Sequence, residues 1–226
     1  MLLVNTAMKS LFGLNIPTAL SEVCHRDALA LLIYDMQTGI VGQIGAAETI
    51  VANVGRVLKA AREARVRVFF TRHMSLPLGL MGAFQLRMAM AWQGVDEPSL
   101  VKPAFLRDSP GFQIVPALTP LVSEAIFDKI TMSAFEGTPV NMALRDCGIK
   151  AVAIAGIALE VGIEPTVRHA IDLGFIPVIV ADACGVGDEK AGRRSLESLA
   201  FEGNVLITDV STFAELIARP GNDSRI

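Results

Sequence analysis

Two charged residues, each at the end of an apolar run, carry the chemistry that this sequence offers. Asp35 follows four apolar residues in LLIYDMQ, and Lys129 lies in FDKITMSAF. A nearby ammonium favours the ionised carboxylate, whereas partial burial opposes ionisation. A pair balanced in this way can exchange protons near neutral pH. The alternatives are structural: Asp35 as a helix cap, and Lys129 in an ion pair that supports a sheet.

Other polar residues near strand ends are weaker candidates. His73, in TRHMS, is a candidate for substrate contact, but no second ligand stands at metal-binding spacing beside it. We therefore predict no metal and no cofactor. Asp182, in ADACG, is typical of a turn or a cap, and Cys184 has no nearby residue that could act as its base. Asp128 should point to the face opposite its neighbour Lys129.

The most unusual position is a glycine. The stretch AVAIAGIALEVGIEPTVRHA, residues 151–170, is typical of a buried strand that turns sharply into a helix. Helix starts of this kind often bind an anion or present a nucleophile. Gly162 lies at the apex of the turn, where a reactive side chain would be expected.

Six apolar runs alternate with helical patterns and would position these residues. We predict strands at 28–36, 66–73, 125–130, 150–157, 175–183 and 204–210, with helices near 50–64, 139–147, 161–173, 189–201 and from 211. Apolar strands that alternate with helices indicate a parallel sheet covered on both faces. The predicted fold is α/β, a three-layer α/β/α sandwich with a six-stranded, Rossmann-like parallel sheet. Ligands bind such sheets beyond the carboxyl ends of the strands, where the strand order reverses.

Three regions are expected along the chain: an N-terminal arm at 1–27, one domain at 28–218 and a C-terminal tail at 219–226. Within the domain, residues 74–113 form an unusually long connection that is rich in methionine and contains Trp92. Long connections are usually functional or ordered by a partner. Its methionines either fill a core or an interface, or the segment is a lid over a substrate.

Composition excludes several classes of partner. The chain has 226 residues, a net charge of −3 and no basic stripe, which argues against nucleic acid. Its apolar runs are much shorter than the roughly 20 residues of a membrane helix, so no membrane partner is predicted. Three scattered cysteines and a start unlike a signal peptide predict a cytoplasmic protein. The apolar arm and a mean hydropathy of +0.48 predict a homo-oligomer, a dimer or a tetramer.

Three blocks of residues together resemble the isochorismatase-like (cysteine hydrolase) superfamily. They are LLIYDMQ, the stretch from FDKITMSAFEGT to VRHAIDLGF, and IPVIVADACG. The middle block is the most specific, with K-x-x-x-S-A-F-x-G-T followed by a strand and then G-I-A-x-x-x-G. The resemblance covers about residues 28–217 and implies a hydrolase that acts on a small-molecule substrate.

Family members that cleave amides use an aspartate, a lysine and a cysteine. By position these would be Asp35, Lys129 and Gly162, so the nucleophile is absent, and none of the three cysteines lies on that turn. The resemblance also implies a cis peptide ahead of the turn, at Ala158–Leu159. Gly162 would leave room for substrate, and the backbone N–H groups around it would hold an anion.

These arguments give a list of site residues. We assign the catalytic positions to Asp35, Lys129 and Gly162, and substrate binding to His73, Trp92, Ala158 and Leu159. Isochorismatases proper also look like aspartate–lysine–glycine proteins. In these the resemblance implies that the aspartate protonates an enol ether and that water then attacks the oxocarbenium carbon.

The leading expectation is therefore non-covalent hydrolysis, with Asp35 as the acid–base group and Lys129 as its partner. Glu160 stands where isochorismatases carry a histidine, and an acid near the pocket would disfavour the dianion isochorismate. Two alternatives stay open. One is a C–N amide or ureide hydrolase whose nucleophilic cysteine is replaced at Gly162. The other is a catalytically silent ligand-binding or scaffold protein of the same family.

Overall fold

A six-stranded parallel sheet forms the centre of the molecule in a computed structural model that describes residues 8–219. Two short strands precede it as an exposed antiparallel hairpin, β1 (Lys9–Leu11) and β2 (Leu14–Ile16). The strands of the sheet are β3 (Leu29–Tyr34), β4 (Arg67–His73), β5 (Ala125–Lys129), β6 (Ala151–Ile157), β7 (Ile176–Gly185) and β8 (Leu206–Thr208).

Between residues 8 and 219, eight α-helices surround the sheet or lie in its connections. They are α1 (Leu20–Val23), α2 (Thr38–Val41), α3 (Ala47–Glu63), α4 (Ala83–Gln93), α5 (Val140–Asp146), α6 (Glu164–Asp172), α7 (Glu189–Glu202) and α8 (Val210–Ala218). The predicted α/β sandwich with a six-stranded parallel sheet is confirmed. The last strand is shorter than predicted, because Asp209 leaves it to cap α8 by accepting a hydrogen bond from the Thr212 N–H.

The strand order β5-β4-β3-β6-β7-β8 reverses between β3 and β6. Both of these central strands are buried along their whole length, because helices cover both faces of the sheet. One hydrophobic cluster packs the sheet against α3 and α8, and the other packs it against α5, α6 and α7. The reversal places the carboxyl ends of β3 and β6 side by side at a crevice, which is where open α/β sheets bind ligands.

The long connection at residues 74–113 contains α4 and short 3-10 turns. No residue of α4 is fully buried, and Met74, Met81, Met88 and Met90 are half-buried. These four side chains lie outside both core clusters. The core-filling alternative for these methionines is therefore wrong, while the interface and the lid remain predictions.

The assignment of an N-terminal arm and a C-terminal tail remains a prediction. The structure describes the arm from residue 8 onward and the tail at Arg219 alone, so the rest of both lies outside the described residues. No helix between residues 8 and 219 is long and apolar enough to cross a membrane.

Candidate active site

A cavity of about 330 Å³ opens where the strand order reverses. Its walls are mainly aliphatic and aromatic, with few polar side chains; they are formed by Tyr34, Asp35, Ile40, Gln43, Ile44, His73, Trp92, Phe105, Met132, Ile157, Ala158, Val161, Gly162 and Gly187. Small-molecule sites usually combine such a largely apolar lining with a few convergent polar groups. This cavity is therefore the candidate active site.

Asp35 is the first residue after β3, and it borders the cavity. Its φ of +47° is uncommon for a residue other than glycine, and Asp and Asn tolerate it best. Its Oδ1 accepts a hydrogen bond from Thr71 Oγ1 at 2.7 Å, and its Oδ2 accepts one from Lys129 Nζ at 2.6 Å. A carboxylate offers about four acceptor positions, so Asp35 can still accept a hydrogen bond from a ligand or a water.

Lys129 supports Asp35 from inside the protein and does not line the cavity. Its side chain is fully buried, and its Nζ also donates to the Thr131 carbonyl oxygen at 3.2 Å. The ammonium lies 4.3 Å from the centre of the Tyr34 ring, within the range of a cation–π contact. Burial lowers the pKa of Lys129, and the charge of Asp35 opposes that shift.

Tyr34 occupies the space in front of Gly162. An ideal Cβ on Gly162 would lie 2.5 Å from Cε1 and Cζ of the Tyr34 ring and closer still to its hydroxyl. The hydroxyl donates to the Met132 carbonyl oxygen. Burial and the charge of Asp35 hold the pKa of Tyr34 well above its usual value, so the phenol stays neutral. The Tyr34 ring therefore fills the direction that a Cβ on Gly162 would take, while the glycine itself borders the cavity, so that room for substrate beside Gly162 stays a prediction.

The turn after β6 is a single π-helical turn, Leu159–Ile163. Such turns are rare and recur at functional sites. The N–H groups of Gly162 and Ile163 both donate to the Ala158 carbonyl oxygen, at 3.0 and 3.1 Å. The Gly162 N–H therefore already has a partner within the turn, and the anion site predicted for the backbone N–H groups around Gly162 stays a prediction.

Two further expectations about the turn need correction. The cis peptide lies at Ile157–Ala158, one bond earlier than expected. Leu159 does not face a substrate, because it is 4% exposed and packs into the hydrophobic cluster under α5, α6 and α7. Ala158 does border the cavity.

His73 and Trp92 form part of an aromatic wall. The His73 ring meets Trp92 and Phe105 edge-on, with ring centres 6.4 and 6.1 Å away. Gln37 holds the His73 backbone by accepting from its N–H at 2.5 Å and donating to its carbonyl oxygen at 3.0 Å. Burial and the nearby charge of Lys129 lower the pKa of His73 to about 4, so the imidazole is neutral at pH 7.

Three other sequence candidates lie outside the cavity lining. Asp128 pairs with Arg72 at 2.8 Å, and Asp182 accepts the N–H of Val210, the first residue of α8, at 2.8 Å. Cys184 is buried, and burial raises the pKa of its thiol to about 12, so it is not a thiolate near neutral pH. Within residues 8–219, His, Cys, Asp and Glu side chains nowhere form a group of three that could hold a metal ion.

Glu160 is also outside the cavity lining. Its Oε1 accepts the N–H groups of Gly187 and Asp188, at 2.7 and 3.0 Å, and the residue is not part of the cavity wall. Glu160 therefore stabilises the loop after β7.

Sequence reasoning missed Tyr34, Thr71, Gln43 and Phe105. The signal for Tyr34 was present: it is the large aromatic residue of an otherwise aliphatic strand, directly before Asp35. The structure shows why its ring fits, since Gly162 on the neighbouring turn lacks the Cβ that would meet it, while Gly156 lacks the Cβ that would meet the Tyr34 backbone. Thr71, Gln43 and Phe105 have no comparable signal in the sequence.

The fold and the cavity define a three-layer α/β protein with a candidate small-molecule site where the strand order reverses. The family model called Isochorismatase domain matches residues 29–210, and the chain belongs to the isochorismatase family.

Individual relatives agree with this family. The chain is 26% identical over 208 residues to a ureidoacrylate amidohydrolase, RutB, of Serratia proteamaculans (strain 568), with 84% of this chain and 83% of the relative covered. It is 30% identical over 173 residues to the isochorismatase family protein YecD of Escherichia coli O157:H7, with 75% and 86% covered. The fold is similar to that of a cysteine hydrolase from Pseudomonas syringae pv. phaseolicola 1448A, with a TM-score of 0.72, 23% identity, and 85% and 93% covered.

Proposed function

We propose that this protein hydrolyses a small molecule without a covalent intermediate, with Asp35 as the acid–base group and Lys129 as its partner. The observation that carries the proposal is the packing of Tyr34 against Gly162 beside the Asp35–Lys129 pair. A proton carrier faces the cavity, while the space of a nucleophilic side chain on residue 162 is filled by a neutral phenol.

The proposed reaction needs one carboxyl group and one water. With a carbonyl substrate, Asp35 takes a proton from the water, the water oxygen attacks the carbonyl carbon, and Asp35 returns the proton to the leaving group. With an enol ether, protonated Asp35 first transfers its proton to the methylene carbon. Water then attacks the oxocarbenium carbon and returns a proton to Asp35, and the resulting hemiketal breaks its C–O bond to give a carbonyl compound and an alcohol. In both cases Lys129 and Thr71 hold the carboxylate in place.

The bond that is cleaved is C–N or C–O. The similarity to an amidohydrolase favours a C–N bond. The shared aspartate–lysine–glycine pattern of isochorismatases favours a C–O bond. Either substrate is compatible with a water nucleophile.

The two alternatives have less support. A cysteine at residue 162 would require the Tyr34 side chain to move from its present position, so a simple replacement at Gly162 does not account for the observed packing. A silent scaffold does not require an open cavity with a buried, hydrogen-bonded carboxylate at its base. Both observations favour an active, non-covalent hydrolase.

The proposal is tested with purified protein on a panel of enol ethers, amides and ureides. A variant in which Cys24, Cys147 and Cys184 are all replaced by alanine serves as the comparison. We expect turnover of at least one compound and a rate within about threefold in the cysteine-free variant, since these thiols take no part in the reaction. Loss of turnover in a cysteine-free variant that is still folded would contradict the non-covalent mechanism.

A further inference from the structure

The Tyr34 hydroxyl lies between two residues of the cavity lining. It donates a hydrogen bond to the Met132 carbonyl oxygen, and it occupies the space that a side chain on Gly162 would take. Met132, Gly162 and Tyr34 itself all border the cavity. Successive side chains of a regular strand point to opposite faces, but Asp35 follows the strand with a φ of +47° and borders the same cavity as Tyr34.

The phenol of Tyr34 keeps its proton in this position. The residue is 2% exposed, and burial together with the charge of Asp35 holds the pKa of Tyr34 well above its usual value of about 10. Tyr34 is therefore not a phenolate near neutral pH and does not act as a nucleophile. A neutral phenol donates one hydrogen bond.

Hydrolysis of a carbonyl substrate creates a negative oxygen that needs a donor. The Lys129 ammonium is bound to Asp35 and to the Thr131 carbonyl oxygen, in a side chain with no exposed surface. Among the lining residues, all within the described range 8–219, none is a lysine or an arginine. His73 is neutral at pH 7, because burial and the charge of Lys129 lower its pKa to about 4. A negative oxygen in the cavity is therefore stabilised by neutral donors.

We propose that Tyr34 is a further catalytic residue, whose hydroxyl donates a hydrogen bond to the oxygen anion formed from a carbonyl substrate. Before the reaction this O–H group donates to the peptide oxygen of Met132. An oxygen anion is a stronger acceptor than a peptide oxygen, so the O–H group turns to the substrate as the negative charge develops. A contact that strengthens in the transition state raises kcat. This role rests on the proposed function, since it serves the same reaction.

The phenol is unchanged at the end of the reaction. The water oxygen forms a bond to the carbonyl carbon, a proton of the water passes to Asp35, and the carbonyl electron pair moves to the oxygen that accepts from Tyr34. When this pair returns, the bond from carbon to the leaving nitrogen breaks, and the proton on Asp35 passes to that nitrogen. The products are an acid and an amine, and Tyr34 donates to Met132 again.

The first test is Tyr34→Phe on an amide or ureide identified from the panel. The phenyl ring still fills the space in front of Gly162, and the O–H group is lost. We expect kcat and kcat/KM to fall together by about a hundredfold, the usual effect of one such donor, while KM stays within about threefold. The matched control Thr208→Val removes a hydroxyl that donates to the Asp209 carbonyl oxygen at 3.4 Å outside the lining, and it should leave both constants unchanged.

A second measurement needs no substrate and no variant. Tyr34 is the single tyrosine of the chain, so a sample labelled with ¹³C at the tyrosine Cζ gives one NMR line. This line should keep the chemical shift of a neutral phenol from pH 6 to pH 10, because burial and Asp35 raise the pKa of Tyr34. The shift of a phenolate within this range would overturn the proposed role, since a phenolate has no proton to donate.

A rate for Tyr34→Phe within about threefold of the unmodified protein would overturn the role of Tyr34, as would a change in KM alone or an equal loss in Thr208→Val. Turnover of enol ethers alone would also overturn it, because their hydrolysis begins with protonation of carbon and forms no oxygen anion at a carbonyl group. If Asp35→Asn is inactive and Tyr34→Phe is fully active, the role of Tyr34 fails alone. No turnover of any compound would overturn the proposed function and this role together.

Discussion

Two ion pairs lie at the same end of the sheet, and each of them includes one of two adjacent residues of β5. In the inner pair, Lys129 Nζ lies 2.6 Å from Asp35 Oδ2, and in the outer pair, Arg72 Nε lies 2.8 Å from Asp128 Oδ1. Lys129 and Asp128 point to opposite faces because successive side chains of a strand alternate. The two distances are similar, so contact length does not show which pair belongs to a reactive site.

Access and the nature of the cation separate the two pairs. Both oxygens of Asp128 are held by the fork of Arg72, at 2.8 and 3.2 Å, and an arginine does not give up its proton. Asp35 borders the cavity, and burial lowers the pKa of its partner Lys129. The inner pair is therefore the one whose carboxylate can exchange a proton with a ligand.

The largest expected difference between the pairs is in stability. Lys129→Met leaves the Asp35 carboxylate buried without a cation and should cost about 3–5 kcal/mol in the free energy of unfolding. Arg72→Met removes a partly exposed cation and should cost about 1 kcal/mol or less. Urea unfolding of both variants makes the comparison. Adding Asp35→Asn to Lys129→Met should recover part of the loss, and equal losses in the two single variants would contradict the distinction.

Packing around the inner pair gives the next effect. Gly162→Ala places a methyl group against the Tyr34 ring and should cost about 1–3 kcal/mol, the usual range for overpacking. Combining it with Tyr34→Leu should cost less than the sum of the single changes, because the collision is removed. Gly55→Ala in α3 is the matched control, since its new Cβ would meet Leu118 at an ordinary 3.7 Å. Strict additivity of the changes at 34 and 162 would show that the two residues are not in contact.

The burial of His73 next to the inner pair makes the stability of the protein depend on pH. Its pKa of about 4 in the folded protein is below the unfolded value of about 6.5, so the unfolded state binds more protons between these limits. The free energy of unfolding should therefore decrease as the pH is lowered, by about 2 kcal/mol from pH 7 to pH 5. His73→Gln should lose this part of the pH dependence. His25→Gln, which leaves His73 in place, should retain it, and the same acid-induced loss in both variants would exclude His73 as its cause.

The strand pattern in the sequence was sufficient to predict much of this site. Apolar runs ending in Asp35 and His73 placed these residues at the carboxyl edge of a parallel sheet, and the strand order of the structure brings that edge to the cavity. The fold class followed from the same alternation of strands and helices.

Contacts through space could not be predicted in this way. Tyr34 is one apolar residue of a buried strand until β6 and its turn bring Gly156 and Gly162 against it. The assignment of Leu159 to substrate binding was wrong because its position in a turn does not reveal which way its side chain packs, and the side chain packs into the hydrophobic core. Glu160 was expected near the ligand for the same reason, and its contacts with residues 187 and 188 depend on a separate loop.

The most direct test of the central claim compares Asp35→Asn with Asp128→Asn on a substrate identified from the panel. Asparagine tolerates the positive φ of position 35, and the lysine left beside it can lose its proton, so the variant should fold. The rate of Asp35→Asn should fall at least about a hundredfold, the usual scale for one acid–base group. Asp128→Asn, the control, should stay within about twofold of the unmodified protein, because no step passes through the outer pair. Full activity of folded Asp35→Asn, or equal losses in both variants, would contradict the account.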